Sequence, residues 1–532
     1  MAMAATPERT ASLLDDVLAQ LSTLPGRRTL TATVLVSQPR KKAAATVFPY
    51  APKIDDVQAV EQDVLLLIAE NQTTRQTQDL PQSDTDTATT PSPGAYVAAI
   101  EANLYIFPTT HSVIVYISKV DTTGQGQRPS PTRAATVALL EHIVRRWFAG
   151  GPPSGRSPGW NVWVHLFARA QNQYLFPASI EHPGKKVLSD AGLVRWWKAV
   201  MDDFVSACTT DGKRSGGGRL RVEPHVSLPG ATDDEAMHLL KVPLRKPETT
   251  TGHDWRYGHP YSGLLLSSSS SPSPSLAKFP LLSRCSPPSI LELIPYFPDD
   301  PKSRFIAELM DSHTTVSGTV IPPPAKRRRM DEQGTSQPAG NDESANLASH
   351  NDSPWADPLG SVSIEEFWER MAFRQECSLG AVVAFFVVYV HTSPVAQLTG
   401  AAGPPASSTH PPPPTRLELP PGQVVGLLAK LNSLDFGTTE KAVQSTELLQ
   451  QSIRAAARGY VVLASGLPGQ GDEGAVLLSG GGADTGQDEA ELFARCISRS
   501  VELDNPDLPA GRRAQAAPAV TVLTARKKKK VS

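Results

Sequence analysis

Cysteine is scarce in this chain and is spread widely along it. The four cysteines, Cys208, Cys285, Cys377 and Cys496, form no CxxC pair. A zinc site or a disulfide framework is therefore not predicted, and reduced intracellular thiols are expected instead. No Ser/His/Asp or Cys/His constellation stands out either, so neither a catalytic triad nor a metal centre is predicted.

Long hydrophobic runs are missing as well. The longest, LGAVVAFFVVYV at 379–390, is shorter than the about 20 residues that span a bilayer, and it predicts a buried strand. The amino-terminal sequence MAMAATPERTASLLDDVLAQL has an acidic amphipathic pattern and lacks the basic and then apolar order of a secretory signal. We therefore expect a soluble, non-secreted protein that makes no membrane contact.

Proline and glycine are abundant, with 48 and 38 residues among 532. They occur beside tracts of Ser, Thr and Asp, which predicts several disordered segments. The hydrophobic content of 40% is still sufficient for a sizeable core. The net charge of −2 argues against binding of nucleic acid through overall charge, and no direct sequence-specific contact with nucleic acid is expected.

Changes in composition divide the chain into a folded core and several insertions. The core is predicted to comprise 1–309, 355–395 and 417–525, of which the last is expected to be helical. The interrupting segments are a disordered loop at 71–94, a flexible insertion at 267–275, a disordered insertion at 310–354 with basic and acidic residues, a Pro-rich linker at 396–416 and a basic tail at 526–532.

Strand-like and helix-like patterns alternate along the core. AYVAAIEANLYIF (95–107) and HSVIVYISKVD (111–121) predict a pair of strands, and NVWVHLFAR (161–169) predicts another. TRAATVALLEHIVRRWFAG (132–150) and DAGLVRWWKAVMDDFVSAC (190–208) have the periodicity of amphipathic helices. Because long apolar strands are typical of sheets buried on both faces, the sequence predicts an α/β fold with a central mixed β-sheet surrounded by helices.

A polar turn follows the predicted strand that ends at Asp121. It contains Gly124 and Gly126 but no GxxxxGK[ST] or GxGxxG motif. Arg128 lies in the turn and Arg133 at the start of the next helix. A strand end, a turn and a helix N-terminus together can bind an anion, and arginine matches the geometry of a phosphate group. Arginines beside turns are common, so this pattern alone is a weak indication of an anion site.

The segment IPYFPDDPKSRFIAEL places Asp299 and Asp300 side by side between Pro298 and Pro301. Proline fixes φ and removes an amide donor, so the segment predicts a rigid turn before a helix that starts near Pro301. The aspartates could cap that helix. Alternatively, two carboxylates that partly repel each other could raise the proton affinity of one of them, as in an acid/base site. The sequence leaves both interpretations open.

Two further features also have more than one interpretation. Trp196 and Trp197 lie on a predicted helix with their side chains about 100° apart, so both can be core residues or one can contact a ligand. The basic runs AKRRRM (325–330) and RKKKK (526–530) are either nuclear import signals or solvated charge clusters. The second run is also a candidate contact for an acidic protein or for nucleic acid.

Four segments taken together resemble one protein family. They are LYIFPTTHSVIVYISKVDTTG, FARAQNQYLFPASIEHPGKKVLSDAGLVRWW, IPYFPDDPKSRFIAEL and SIEEFWERMAFRQECSLG. In this order they resemble the fungal histone acetyltransferases first known as regulators of Ty transposition, and the resemblance covers most of the folded chain. It implies a fold similar to that of the metazoan CBP-type acetyltransferases, with acetyl-CoA in a surface tunnel and no metal.

The resemblance also implies an activity and partners. The protein would transfer acetyl groups from acetyl-CoA to lysines of newly synthesised histone H3 in the nucleus, in replication-coupled nucleosome assembly, the DNA damage response and genome stability. The histone H3–H4 dimer would be its substrate, with a NAP-type histone chaperone and the anti-silencing-function histone chaperone as partners. The alternative is a catalytically weak chromatin scaffold that binds histone chaperones. Retention of five residues favours the enzyme: Asp121, Trp197, Asp299, Asp300 and Lys302.

Residue by residue, the resemblance predicts the following site. Asp300 is the expected acid/base and Asp299 its positioning partner, and Trp197 lies beside the lysine tunnel. Tyr174 is a possible proton donor to the leaving thiolate. Lys302 is the expected autoacetylation site, and Arg304 would support the acidic turn. The expected acetyl-CoA contacts are Val120, Asp121, Thr122, Arg128, Pro129, Ser130, Arg133, Phe167, Gln171, Val187, Leu188, Ser189 and Trp196.

Overall fold

The structure is a computed structural model. The structure describes residues 12–51, 57–71, 94–148, 160–214, 220–241, 255–260, 293–308, 364–373, 382–392, 418–457, 493 and 496–506. The predicted segments 267–275, 310–354, 396–416 and 526–532 lie outside the described residues, as does the predicted loop 71–94 except for its two end residues.

A single mixed sheet of ten strands runs through the described part of the chain. The strands are β1 (Gly26–Val36), β2 (Arg40–Ala43), β3 (Gln58–Asn71), β4 (Ala95–Phe107), β5 (Ser112–Thr122), β6 (Asn161–Ala168), β7 (Leu220–Ser227), β8 (Arg256–Tyr257), β9 (Ala384–Thr392) and β10 (Ser498–Asn505). Their order is β10-β1-β3-β4-β5-β6-β9-β7-β8, with β2 paired to β3. The pairs β5–β6 and β7–β8 are parallel and the other pairs are antiparallel. The predicted central mixed sheet is confirmed.

Helices cover this sheet. They are α1 (Leu13–Leu21), α2 (Thr132–Phe148), α3 (Asp190–Arg214), α4 (Asp233–Leu240), α5 (301–308), α6 (Ile364–Ala372), α7 (Pro421–Leu431) and α8 (Thr439–Ala457). Ser12 begins α1 with a capping box, since its hydroxyl accepts from Asp15 N–H while the Asp15 carboxylate accepts from Ser12 N–H. Within the described residues, we find no helix with the length and apolar character needed to cross a membrane.

Alternation of side chains along β6 shows why the strands are apolar throughout. Val162, Val164 and Leu166 join the core beneath α1 to α4, whereas Trp163 joins a core on the opposite side and His165 contacts Phe297 there. Successive side chains of a strand point to opposite faces, so both faces of this sheet are buried. We call the side covered by α1 to α4 the first face and the opposite side the second face.

Two groups of elements cover the second face. Helices α7 and α8 and the segment 174–176 pack on β1, β3 and β4. The segment 293–308 and helix α6 pack on β5, β6 and β9. Phe297 stacks on Tyr116 of β5 with 4.1 Å between ring centroids. The aromatic contact holds the predicted acidic turn against the second face.

The carboxy-terminal part of the core differs from the prediction of helices alone. Helices α7 and α8 are present, but β10 adds an edge strand that pairs antiparallel with β1. In its sequence, SRSVELDN, Val501 and Leu503 alternate with polar residues and pack on the first face. This period of two covers only two apolar residues, so the pattern is too short to be distinguished from a polar loop.

Candidate active site

Asp121, at the end of β5, is a hub of hydrogen bonds. Its Oδ2 accepts from the backbone N–H groups of Tyr174, Leu175 and Phe176 at 2.7, 2.9 and 3.1 Å. Its Oδ1 accepts from the N–H of Thr122 at 2.8 Å and from the Nζ of Lys185 at 2.9 Å. The side chains of Asp121 and Lys185 are 6% and 5% exposed. The carboxylate therefore fixes the backbone of residues 174–176 and the side chain of Lys185.

Two glycines bring the loop after β5 against the loop before α3. Gly124 has φ of +81°, a conformation that L side chains rarely adopt, and a Cβ there would lie 2.3 Å from the backbone nitrogen of Lys185. A Cβ on Gly184 would lie 2.3 Å from the carbonyl oxygen of Gly124. Only glycine permits this approach of backbone to backbone, which reinforces the ion pair between Asp121 and Lys185.

A buried ion pair holds the backbone of the turn between β5 and α2. Arg28 donates to the carbonyl oxygens of Gln127 and Pro129 at 3.1 and 2.9 Å, and Glu70 accepts from the N–H of Gln127 at 3.1 Å. The side chains of Arg28 and Glu70 are 0% and 4% exposed and lie 3.5 Å apart. With its backbone anchored in this way, the turn presents Arg128, Pro129 and Ser130 to solvent.

Arg133 is placed differently from the other predicted phosphate ligands. Its Nε donates to Asp203 at 2.6 Å and its second guanidinium nitrogen donates to the carbonyl of Ala199 at 3.1 Å. Both side chains of the ion pair are about half exposed, at 44% and 46%. Arg133 therefore links α2 to α3 and would have to exchange this contact in order to bind a phosphate.

The segment before α3 supplies apolar surface beside the Asp121 hub. Val187 and Leu188 are 41% and 42% exposed, which is unusual for large aliphatic side chains. Ser189 accepts from the N–H of Gly192 at 3.3 Å and begins α3. Trp196 is half-buried and Gln171 is exposed. Val187, Leu188 and Ser189 directly follow Lys185, which pairs with Asp121, so the structure brings this part of the predicted acetyl-CoA segment next to Asp121 and Thr122.

Tyr174 donates its N–H to Asp121, and its side chain packs against the core beneath α7 and α8. Its hydroxyl donates to the carbonyl oxygen of Arg169. Burial raises the pKa of Tyr174 to about 12, with Arg169 opposing the shift and Asp121 adding to it. The phenol is therefore protonated at neutral pH, and its proton is engaged with a backbone carbonyl in this structure.

Asp300 caps helix α5. Its Oδ1 accepts from the N–H of Lys302 at 2.9 Å, and its carbonyl accepts from the N–H of Ser303 at 3.1 Å. The hydroxyl of Ser303 in turn accepts from the N–H of Phe297 at 2.8 Å. Asp300 is 1% exposed. The cap interpretation left open by the sequence is therefore realised in the structure.

The second oxygen of Asp300 forms an ion pair with the ammonium of Lys302. Lys302 is 4% exposed, and its Nζ also lies 4.0 Å from the centroid of the Phe385 ring. Phe167 stacks on the same Phe385 ring at 4.8 Å. Phe167 therefore lies close to the acidic turn on the second face. Arg304 follows on α5 with an exposed side chain.

Asp299 faces outward at the same turn. Its carboxylate is 59% exposed and lies 3.4 Å from the Nζ of Lys119 on β5. Lys119 and Asp121 are two residues apart on β5 and therefore share a face of the sheet. Strand β5 thus connects the acidic turn with the Asp121 hub, and Val120 between them packs on the first face.

Trp197 belongs to the core cluster of the first face, which also contains Leu166 and Met201, and it is 4% exposed. Its ring meets that of Trp196 edge-on at 4.8 Å. The acidic turn, by contrast, belongs to the second face. The structure therefore brings together Asp299, Asp300, Lys302 and Phe167, and places Trp197 in a different core cluster.

The charge of Lys302, in this turn, acts on two buried histidines, His165 and His259. A third buried histidine, His225, interacts with His259. None of the three was predicted from the sequence. Burial lowers the pKa of His165 and of His225 to about 3, with the charges of Lys302 and Arg256 respectively adding to the effect. Burial also lowers the pKa of His259 well below its usual value. Among the described residues, the Nε2 of His165 has no hydrogen-bond partner. A polar residue inside the apolar strand VWVHLFA is the signal that could have identified His165.

These histidines predict a loss of stability in mild acid. An unfolded histidine takes up a proton near pH 6.5, whereas His165 and His225 in the folded state stay neutral down to about pH 3. The unfolded state therefore binds more protons in this window, and the free energy of unfolding falls by about 1.4 kcal/mol per pH unit for each such histidine. Urea unfolding at pH 7.5, 6 and 5 measures this. His165→Gln should make the decline shallower, and an unchanged slope would contradict the prediction.

The comparison with protein families identifies the chain's family. The model of the histone acetyltransferase KAT11-type domain matches residues 155–459, which is more than half of the chain. The chain belongs to this family. The matched KAT11-type region runs from before β6 to the end of α8 and includes the loop 169–189, the histidines and the acidic turn.

Relatives of this KAT11-type protein agree with the assignment. It is 30% identical over 302 residues to a protein named histone acetyltransferase rtt109 in Aspergillus flavus. The aligned region covers 56% of this chain and 46% of that protein. It is 23% identical over 300 residues to histone acetyltransferase rtt109 of Schizosaccharomyces pombe, covering 54% of this chain and 57% of that protein. The chain thus spans about half the length of the curated relatives it matches.

A solved structure shares the fold. The crystal structure of Rtt109 from Aspergillus fumigatus superposes with a TM-score of 0.58 at 22% identity and covers 92% of this chain and 100% of that chain. The predicted acetyltransferase fold, with a mixed sheet surrounded by helices, is therefore confirmed.

Proposed function

We propose that this KAT11-type protein transfers the acetyl group of acetyl-CoA to lysine side chains of histones. The observation that carries the proposal is the acidic turn: an exposed Asp299 and a buried Asp300 stand side by side, inside the region that the family model matches. The exposed carboxylate can attract a cationic side chain, and the buried one can exchange a proton with it.

The residues around the Asp121 hub fit acetyl-CoA. Its phosphates match the exposed Arg128 and Ser130 at the start of α2, where a helix N-terminus adds favourable charge. The apolar surface of Val187 and Leu188 suits the pantetheine arm. Acetyl-CoA supplies the acetyl group as a reactive thioester. The protein holds this donor through backbone and side chains that Asp121 and Arg28 keep in place.

The transfer requires a neutral amine. Asp299 binds the ammonium of the incoming lysine, and Asp300 accepts its proton. The amine nitrogen then attacks the thioester carbonyl carbon, a C–N bond forms, the C–S bond breaks, and the thiolate leaves. Tyr174 can give its proton to that thiolate once its hydroxyl leaves the carbonyl of Arg169. The proton that the attacking nitrogen loses as the amide forms then restores the phenol, so the products are acetyl-lysine and the CoA thiol.

Lys302 regulates this step in the proposal. Its ammonium occupies one oxygen of Asp300, so Asp300 is less available as a base while the pair is intact. Acetylation of Lys302 removes the charge and releases the carboxylate. The direct contact between Lys302 and Asp300 supports Lys302 as a self-substrate, as the family resemblance implies.

The biological setting is proposed from the resemblance. Newly synthesised histone H3 within the H3–H4 dimer is the substrate, delivered in the nucleus by a NAP-type chaperone or the anti-silencing-function chaperone. The role then lies in replication-coupled assembly, the DNA damage response and genome stability. The basic tail at 526–532 offers charge complementary to an acidic chaperone.

The test is direct acetylation. The full chain is incubated with acetyl-CoA and H3–H4 dimer, with and without each class of chaperone, and acetyl-lysine is counted by mass spectrometry. We expect acetylated H3 only with the enzyme, and more of it with a chaperone. Acetylation equal to a no-enzyme blank under every condition would overturn the proposal and leave the chaperone-binding scaffold.

A further inference from the structure

Lys119 joins three elements of the site through one ammonium group. Its Nζ lies 3.2 Å from Glu101 Oε2 on β4 and 3.4 Å from Asp299 Oδ2 on the acidic turn. Both carboxylates hold Lys119 in its cationic form, and its pKa is raised although burial opposes the shift. None of the roles assigned above uses Lys119 or Glu101.

The sheet fixes Lys119 more firmly than an ordinary surface ion pair would be fixed. Glu101 and Lys119 are cross-strand partners, and the register of β4 and β5 shifts directly after Glu101. A β-bulge re-aims the side chains beside it. The hydroxyl of Ser118 donates to the Glu101 carbonyl at 3.2 Å, and the Glu101 side chain is only 15% exposed. Lys119 is therefore anchored from the sheet, and its contact with Asp299 depends on a constrained geometry.

The side chain of Asp299, by contrast, has one described contact, the ammonium of Lys119. It is 59% exposed and lies in a turn, whereas Asp300 beside it is fixed by its cap and its ion pair. A carboxylate that must receive a substrate ammonium performs best when its rotamer is already selected. Lys119 is the group that selects it.

We propose that Lys119 is a positioning residue that orients Asp299 for the substrate lysine, with Glu101 as its anchor in the sheet. This rests on the proposed acetyl transfer. Lys119 contacts Oδ2 of Asp299 at 3.4 Å, and the proposal assigns the other carboxylate oxygen to the incoming substrate ammonium. Strand β5, which ends at the Asp121 hub, thus also sets the geometry of Asp299, where the histone lysine would bind.

The experiment is a double-mutant cycle on kcat/KM for the H3–H4 dimer, with Lys119→Met, Asp299→Asn and both together. If Lys119 acts through Asp299, Lys119→Met lowers kcat/KM by about five- to tenfold in the wild-type background and by less than about twofold in the Asp299→Asn background. The loss should appear mainly in KM for histone, and the Kd for acetyl-CoA should stay unchanged. Lys119→Arg should recover most of the loss.

Lys42→Met is the matched control. Lys42 is also a strand lysine, 31% exposed, that pairs with a carboxylate on the next strand, Glu61, at 2.9 Å. It should keep wild-type kinetics. Equal losses from Lys119→Met in both backgrounds, no loss at all, or a loss that Lys119→Arg does not recover would each overturn the proposal. An inactive wild-type protein would instead reject the acetyltransferase function itself.

Discussion

Replacing Asp300 by asparagine should lower kcat for histone acetylation by about a hundredfold or more. Asparagine keeps the size of the side chain and an oxygen that can accept from the N–H of Lys302, so the cap of α5 survives. It cannot accept the substrate proton. Turnover should partly recover at high pH, because more of the substrate lysine is then already neutral. Turnover measured against pH, alongside acetyl-CoA binding, tests this.

The ion pair with Lys302 makes a second variant necessary. Asp300→Asn removes the carboxylate that pairs with the buried ammonium of Lys302, and breaking a buried pair costs about 3–5 kcal/mol. Asp300→Asn with Lys302→Gln removes that charge and should restore most of the stability. Lys302→Gln alone keeps the carboxylate. If the double variant is stable but still inactive while Lys302→Gln retains activity, the missing group is the base. Near-normal turnover of Asp300→Asn at neutral pH would reduce Asp300 to a helix cap.

The sequence predicted the elements that local chemistry determines. Proline on both sides of Asp299 and Asp300 predicted a turn before a helix, and the run at 379–390 predicted a buried strand, which became β9. Periodicity likewise predicted α2 and α3. These features depend on residues that are close together in the sequence, so one sequence without relatives is sufficient to predict them.

Contacts between segments that are distant in the sequence could not be predicted in this way. Lys185, which pairs with Asp121 across 64 positions, stands in an exposed-looking GKK sequence. Lys119 and Glu101 contact the site only because the fold brings the turn at Asp299 against β5, and the sequence contains no sign of that contact. Trp197 packs in the core of the first face, and its position beside a lysine tunnel, which the family resemblance implies, stays a prediction. Tertiary partners, unlike periodicity, are not encoded in any local pattern.

Asp121→Ala should have the second large effect, on stability and on acetyl-CoA binding together. It removes the acceptor of three consecutive backbone N–H groups at 174–176 and leaves Lys185 buried without its anion. The free energy of unfolding should fall by about 3–5 kcal/mol. The loops that meet at Gly124 and Gly184 should separate, so the Kd for acetyl-CoA should rise at least tenfold in calorimetry at a temperature where the variant remains folded.

Two controls separate the geometry of the loop from stability in general. Asp63→Ala removes a carboxylate, 13% exposed, that accepts from Arg40 at 2.6 Å on another part of the sheet; it should destabilise the protein without changing the Kd. Asp121→Asn with Lys185→Met removes the unpaired cation and keeps an oxygen for the amides, so it should recover stability and part of the binding. If Asp121→Ala and Asp63→Ala shift the Kd for acetyl-CoA equally, Asp121 contributes only to the stability of the fold and the hub does not position the acetyl donor.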